Sequence, residues 1–162
     1  MTVPSPFDRL NLDPRLACEF LAVFARYEFA LKAAGFADGD ERKAEAAWDR
    51  YARAIDAGFT QLKGAELRAA VAYLLLQPPK KQIVVKGKIQ WQDARPDANV
   101  SRAEQVLLMV RRVRNNLFHG GKFLPAEAAG DADRDRLLVE HALTVLRACL
   151  PLQQDVVAAY EN

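Results

Sequence analysis

The sequence predicts an all-α protein: an antiparallel helical bundle of four long helices with one or two short ones, plus a small basic hairpin or loop insert at residues 80–99. Three observations carry that prediction. At 162 residues the chain has the size of one ordinary domain able to bury a core without metal or disulfide support, so 1–162 reads as a single unit. Apolar residues make up 51% of it and recur mostly at helical spacing. Helix-stopping residues, at Gly35, Pro78-Pro79, Gly120-Gly121 and Pro151, divide the chain into helix-length segments.

The first helix is predicted from Pro14 to Ala34, where Leu16, Phe20, Val23, Phe24, Tyr27 and Leu31 share a face and Gly35 supplies the stop. The second begins after "ADGD" and runs through "ERKAEAAWDRYARAIDAGF", burying Ala46, Ala47, Tyr51 and Ile55 with Trp48 at the margin. The third, "GAELRAAVAYLLLQ", ends at the two prolines, which lack the donor and obstruct the preceding residue. Between Lys80 and Asn99 the period changes. Ile83, Val85, Ile89 and Trp91 alternate around Lys86-Gly87-Lys88 as in a small hairpin, with Ile89 and Trp91 expected to fasten it to the helices.

Ser101 and Glu104 have capping-box spacing and open a helix that carries Val106, Leu107, Val110, Val113 and Leu117 toward the core until Gly120-Gly121. After the acidic start "GDADRDR", the stretch "LLVEHALTVLRACL" puts Leu138, Ala142, Val145, Leu146 and Cys149 on one stripe. Pro151 then kinks or restarts the chain into "LQQDVVAAYEN".

Composition narrows the function classes. The start of the chain has no basic stretch leading into an apolar segment, and the longest apolar run, "AAVAYLLL", is too short to cross a bilayer, so a cytoplasmic protein with no membrane partner is expected. Cys18 and Cys149 stand far apart among apolar neighbours and read as small buried hydrophobes. His119 and His141 lack a second ligand at metal-site spacing, and no glycine-rich phosphate loop follows a strand, so neither a metal nor a nucleotide cofactor is expected. Net charge is only +2, yet residues 79–122 hold ten lysines and arginines against three acids. That stretch would attract a polyanion while the rest of the chain would not.

The segment "VRRVRNNLFHGGKF", residues 110–123, concentrates polar chemistry at a helix end. One reading is structural: cations suit the negative end of the helix dipole and glycine takes the left-handed stop position. The other is functional. Residues five apart on a helix are about 7.5 Å apart along its axis, a gap that Arg114 can close toward His119, and Asn115 shares the histidine's face. Arginine offers a planar fork for phosphate, and histidine both takes and gives a proton near neutral pH.

At these residues the chain resembles the HEPN domain family. "RNNLFHGGK" is similar to that family's signature of an arginine, usually followed by a polar residue, and a histidine after four to six intervening positions, here four, and "ARYEFALKAAGF" is similar to the opening helix of some bacterial members. The resemblance implies a homodimer whose motif helices face one another in a composite cationic cleft, and a metal-independent endoribonuclease of the toxin or phage-defence kind. His119 would move the proton of the ribose 2′-hydroxyl or of the leaving oxygen, Arg114 would stabilise charge on the scissile phosphate, and Asn115 would hold one of them in place. Attack by the 2′-hydroxyl would leave a 2′,3′-cyclic phosphate and spare DNA. Gly121 stands where some toxin members carry a modifiable tyrosine, so silencing by that route is not expected, which leaves open a protein antitoxin of another type or a companion protein. The family also contains non-catalytic dimeric modules that bind RNA or a partner protein, which is the alternative reading.

Arg111 and Lys122 beside the motif, and Lys80, Lys81, Lys86 and Lys88 on the insert, are candidates for tracking an RNA backbone, with Trp91 as a base-stacking surface. The competing reading is a solvated lysine hairpin with Trp91 pinned to the core. Glu28 reads as an i,i+4 partner of Lys32, the alternative being a carboxylate that approaches His119, and His141 reads as a core or interface histidine.

Overall fold

The computed structural model describes residues 3, 5, 7, 8, 10–118 and 131–162. Its elements are α1 (Pro14–Ala33), β1 (Ala37–Asp40), β2 (Lys43–Ala46), α2 (Trp48–Gln61), α3 (Ala65–Leu76), β3 (Lys81–Val85), β4 (Lys88–Gln92), α4 (Arg102–Phe118), α5 (Ala132–Cys149), a 3-10 turn (Leu150–Leu152) and α6 (Gln154–Glu161). The protein is mainly helical; the hairpin β3–β4 lies in the predicted insert, and the all-α expectation is corrected by a second small antiparallel hairpin, β1–β2.

One continuous core takes side chains from all six helices. α5 packs against α1, α3 and α4, while α4 also meets α2 and α3, so these two helices lie at the centre and α6 covers α1. The predicted stripes of α1, α4 and α5 face this core, with Phe20, Tyr27, Val106, Val110, Leu146 and Cys149 fully buried. Trp48 is not marginal: it is buried and stacks on Tyr27 at 5.5 Å. Cys18, expected inside, is exposed on α1. A buried hydroxyl relay joins three helices, since Tyr51 donates to the Cys149 carbonyl oxygen at 3.0 Å and therefore accepts from Tyr27 at 2.6 Å. Burial raises both phenols above their ordinary range.

Strand β2 of the first hairpin occupies residues that the sequence assigns to the second helix, whereas β1 is the "ADGD" segment before it. "KAEA" has helix-forming residues but no apolar stripe to bury, and the Asp40 carboxylate accepts from the backbone N–H of Arg42 and Lys43 at 2.8 and 3.2 Å, which stabilises a turn. Gly39 sits at φ +126°, and an added Cβ would lie 1.9 Å from the Lys43 carbonyl oxygen, so glycine is required there. Local turn chemistry wins over helix propensity.

The second hairpin forms around the predicted Lys86-Gly87-Lys88, its turn being the two residues Lys86-Gly87, with both φ angles positive and Val85 opposite Lys88. Its attachment differs from expectation. Ile89 is 65% exposed and does not fasten it, while Trp91 is 36% exposed. The hairpin is instead held at its base, where Arg112 of α4 donates to the Pro79 and Ala94 carbonyls and the buried Asn116 donates to Lys80 at 2.9 Å. Its strands therefore remain beside the C-terminal half of α4.

Candidate functional site

The start of α4 is fixed by the predicted capping box. Glu104 accepts from the Ser101 N–H at 3.1 Å, the Ser101 hydroxyl accepts from the Glu104 N–H at 3.2 Å, and Asp56 of α2 accepts from Ala103 N–H at 2.9 Å. Burial acts to raise the Glu104 pKa, but its hydrogen bonds to Ser101 and Arg53 outweigh that effect and leave it lowered. With its start held and Val110, Val113 and Leu117 buried, the last two turns of α4 have a defined rotation about the helix axis.

That rotation separates the polar residues of "RRVRNNLF" into i,i+4 pairs. Arg112 and Asn116 form the clamp on the hairpin, and burial lowers the arginine's pKa from its ordinary value. Arg111 and Asn115 form a ridge between two clefts. Arg114 and Phe118 point toward α1, where the guanidinium lies 5.4 Å from the Phe24 ring centre and 5.0 Å from that of Phe118. It also donates to Asn115 Oδ1 at 3.0 Å and faces Glu28 at 3.8 Å. The same Glu28 accepts from the Trp48 indole at 3.2 Å. Two π faces, an amide and a carboxylate thus orient Arg114, leaving it partly exposed.

The cleft on the α1 side, about 430 Å³, is lined by Glu28, Lys32, Lys43, Arg111, Arg114 and Asn115 among others. The cleft on the hairpin side, about 470 Å³, is lined by Lys81, Gln82, Leu108, Arg111 and Arg112 together with Asn115 and Asn116. Arg111 pairs with Asp49 at 2.8 Å. An anion entering either cleft meets guanidinium and amide donors, which is chemistry suited to a phosphate.

Of the residues singled out by sequence, Arg111, Arg114, Asn115 and Lys81 come together around the end of α4. Lys80 lies at the hairpin base with its ammonium 3.8 Å from Asp93, while Lys86 and Lys88 flank the hairpin tip and line neither cleft. His119 and Lys122 lie outside the described residues. His141 is elsewhere, half-buried against Tyr73 between α3 and α5 with its pKa lowered by burial against a smaller opposing effect of Glu140. The sequence reading missed Lys32 and Lys43 as cleft residues, and it gave Glu28 the wrong partner. The alternative reading of Glu28, as a carboxylate near the motif, agrees with its approach to Arg114.

Among the described residues no group of His, Cys, Asp and Glu converges as a metal site, and no helix is long and apolar enough to cross a membrane. Comparison with family models, curated proteins and solved structures found no match to this chain.

Proposed function

We propose that the protein is a HEPN-like, metal-independent endoribonuclease that acts as a homodimer, with Arg114, Asn115 and His119 as its reacting group. The observation carrying this reading is the gathering of Arg111, Arg114 and Asn115 at the clefts flanking the last turns of α4, with His119 next in the chain after Phe118. Arg114 stabilises charge building on the scissile phosphate, and its π and carboxylate contacts fix the fork before substrate arrives. His119 moves the proton between the ribose 2′-hydroxyl, the leaving oxygen and solvent. Asn115 orients the Arg114 fork. In this reading α1, α3, α4 and α5 correspond to a four-helix HEPN bundle, the hairpins are additions to it, and the setting is a cytoplasmic toxin or phage-defence component restrained by a protein antitoxin or companion.

A second reading, a non-catalytic dimeric module that binds RNA or a partner protein, is favoured by the prior engagement of Arg114 with Glu28 and Asn115. One experiment separates the two. Labelled RNA and DNA are incubated in excess chelator with the wild type, His119→Ala and Arg114→Lys. The nuclease reading expects cleavage of RNA alone, reduced roughly 100-fold or more by either substitution. Absence of cleavage across several RNA types selects the binding module, and cleavage that survives His119→Ala removes His119 from the site.

A further inference from the structure

We propose that one face of hairpin β3–β4 stacks the unpaired bases of an RNA strand whose backbone crosses the ridge of α4, so that the site acts on single-stranded rather than duplex RNA. This rests on the reading of the α4 clefts as an RNA site. The register sets Trp91 opposite Gln82 and Ile89 opposite Val84, and in an antiparallel pair opposed side chains share a face. Val84 is 71% and Ile89 65% exposed, and with the partly exposed Trp91 they make an apolar, aromatic surface open to solvent. The hairpin does not need these side chains for docking, because Arg112 and Asn116 hold its base through backbone carbonyls.

The charge of the hairpin as a whole selects the occupant. By the same register Lys81 and Lys88 project from the opposite face, while Lys86 sits in the turn and Lys80 at the base; among the described residues no carboxylate pairs with Lys81, Lys86 or Lys88, and Lys80 faces Asp93 at 3.8 Å. A ligand with flat apolar units on an anionic chain satisfies both features, and a nucleic-acid strand is that ligand. The face is also continuous with the site: Gln82, beside Trp91, lines the hairpin-side cleft, which shares Arg111 and Asn115 with the cleft of Arg114. A duplex keeps its bases stacked internally and offers this face only phosphates.

The test measures binding of a short labelled 2′-O-methyl RNA, which lacks the attacking hydroxyl, as a single strand and as a duplex across a salt series. Trp91→Ala is expected to weaken single-strand binding roughly ten- to hundred-fold with an unchanged salt slope, while Trp91→Phe retains most of the affinity and duplex binding ignores both changes. Lys86→Ala with Lys88→Ala lowers the log–log salt slope by about 1.4. The proposal is overturned if Trp91→Ala binds like the wild type, if it weakens single strand and duplex equally, if it changes the oligomeric state, or if anionic phosphatidylserine vesicles rather than RNA alter Trp91 fluorescence. Cleavage of unmodified RNA is read in parallel. Cleavage indifferent to Trp91 sinks this inference and leaves the nuclease reading standing; Trp91-dependent binding without cleavage does the reverse.

Discussion

Glu28 joins two side chains that sequence spacing does not connect: it accepts from the Trp48 indole and faces the Arg114 guanidinium. The i,i+4 rule pointed instead to Lys32, but a buried indole N–H needs an acceptor more than a half-buried lysine, whose ammonium can reach water, needs a partner. Because Glu28 and Arg114 are each about a third exposed and 3.8 Å apart, their pairing contributes about 0–1 kcal/mol to stability. Its consequence lies in function. Glu28→Gln keeps an acceptor for Trp48 while removing a negative charge from the cleft. Melting should hardly change, RNA affinity should tighten roughly two- to fivefold, and turnover of bound RNA should fall as Arg114 loses its anchor. Binding and single-turnover assays on one variant check this, and a fall in affinity would contradict it. The residue types at 114 and 115 were legible because they fall in one short motif; their aromatic and acidic surroundings come from α1, which only the fold brings near.

The elements divide by how local their causes are. α1, α4 and α5 were legible because their apolar periods are long, and α4 also because its start carries the Ser101–Glu104 capping box. β1–β2 was not, because its deciding features are an Asp40 turn and a glycine at positive φ rather than an apolar pattern. The β3–β4 turn was legible from Lys86-Gly87, but its anchoring was not: Arg112 and Asn116 act on backbone carbonyls, which leave no mark in the hairpin's own sequence. The cap of α4 predicts an acid response. Since the folded pKa of Glu104 is lowered, its stabilisation is present above the unfolded carboxylate value of about 4.3 and disappears as pH falls through the folded value. The melting-temperature gap between wild type and Glu104→Gln should therefore be largest near neutrality and close on acidification below about pH 4. A gap independent of pH would mean that the carboxylate charge has no part in the cap.

Across the whole molecule, α1, α2 and α5 are tied together at the Tyr27–Tyr51–Cys149 relay, at the centre of the core. Tyr51→Phe leaves the Tyr27 hydroxyl and the Cys149 carbonyl without this partner, and it should cost about 1–3 kcal/mol in denaturant unfolding; Tyr27→Phe leaves Tyr51 still donating and should cost less, about 0.5–1.5 kcal/mol. Equal losses would contradict the assigned donor order. The proposed composite cleft also makes a two-chain particle the active form, so sedimentation should show a dimer and specific activity should fall on dilution below its dissociation constant. A monomer of constant specific activity would remove the two-fold site. The most direct measurement of the central claim is the mass of the 3′ ends produced from RNA in excess chelator. A 2′,3′-cyclic phosphate made by the wild type, and lost in both His119→Ala and Arg114→Lys, is the predicted result; 3′-hydroxyl ends, or cyclic phosphate formed equally by His119→Ala, would contradict it.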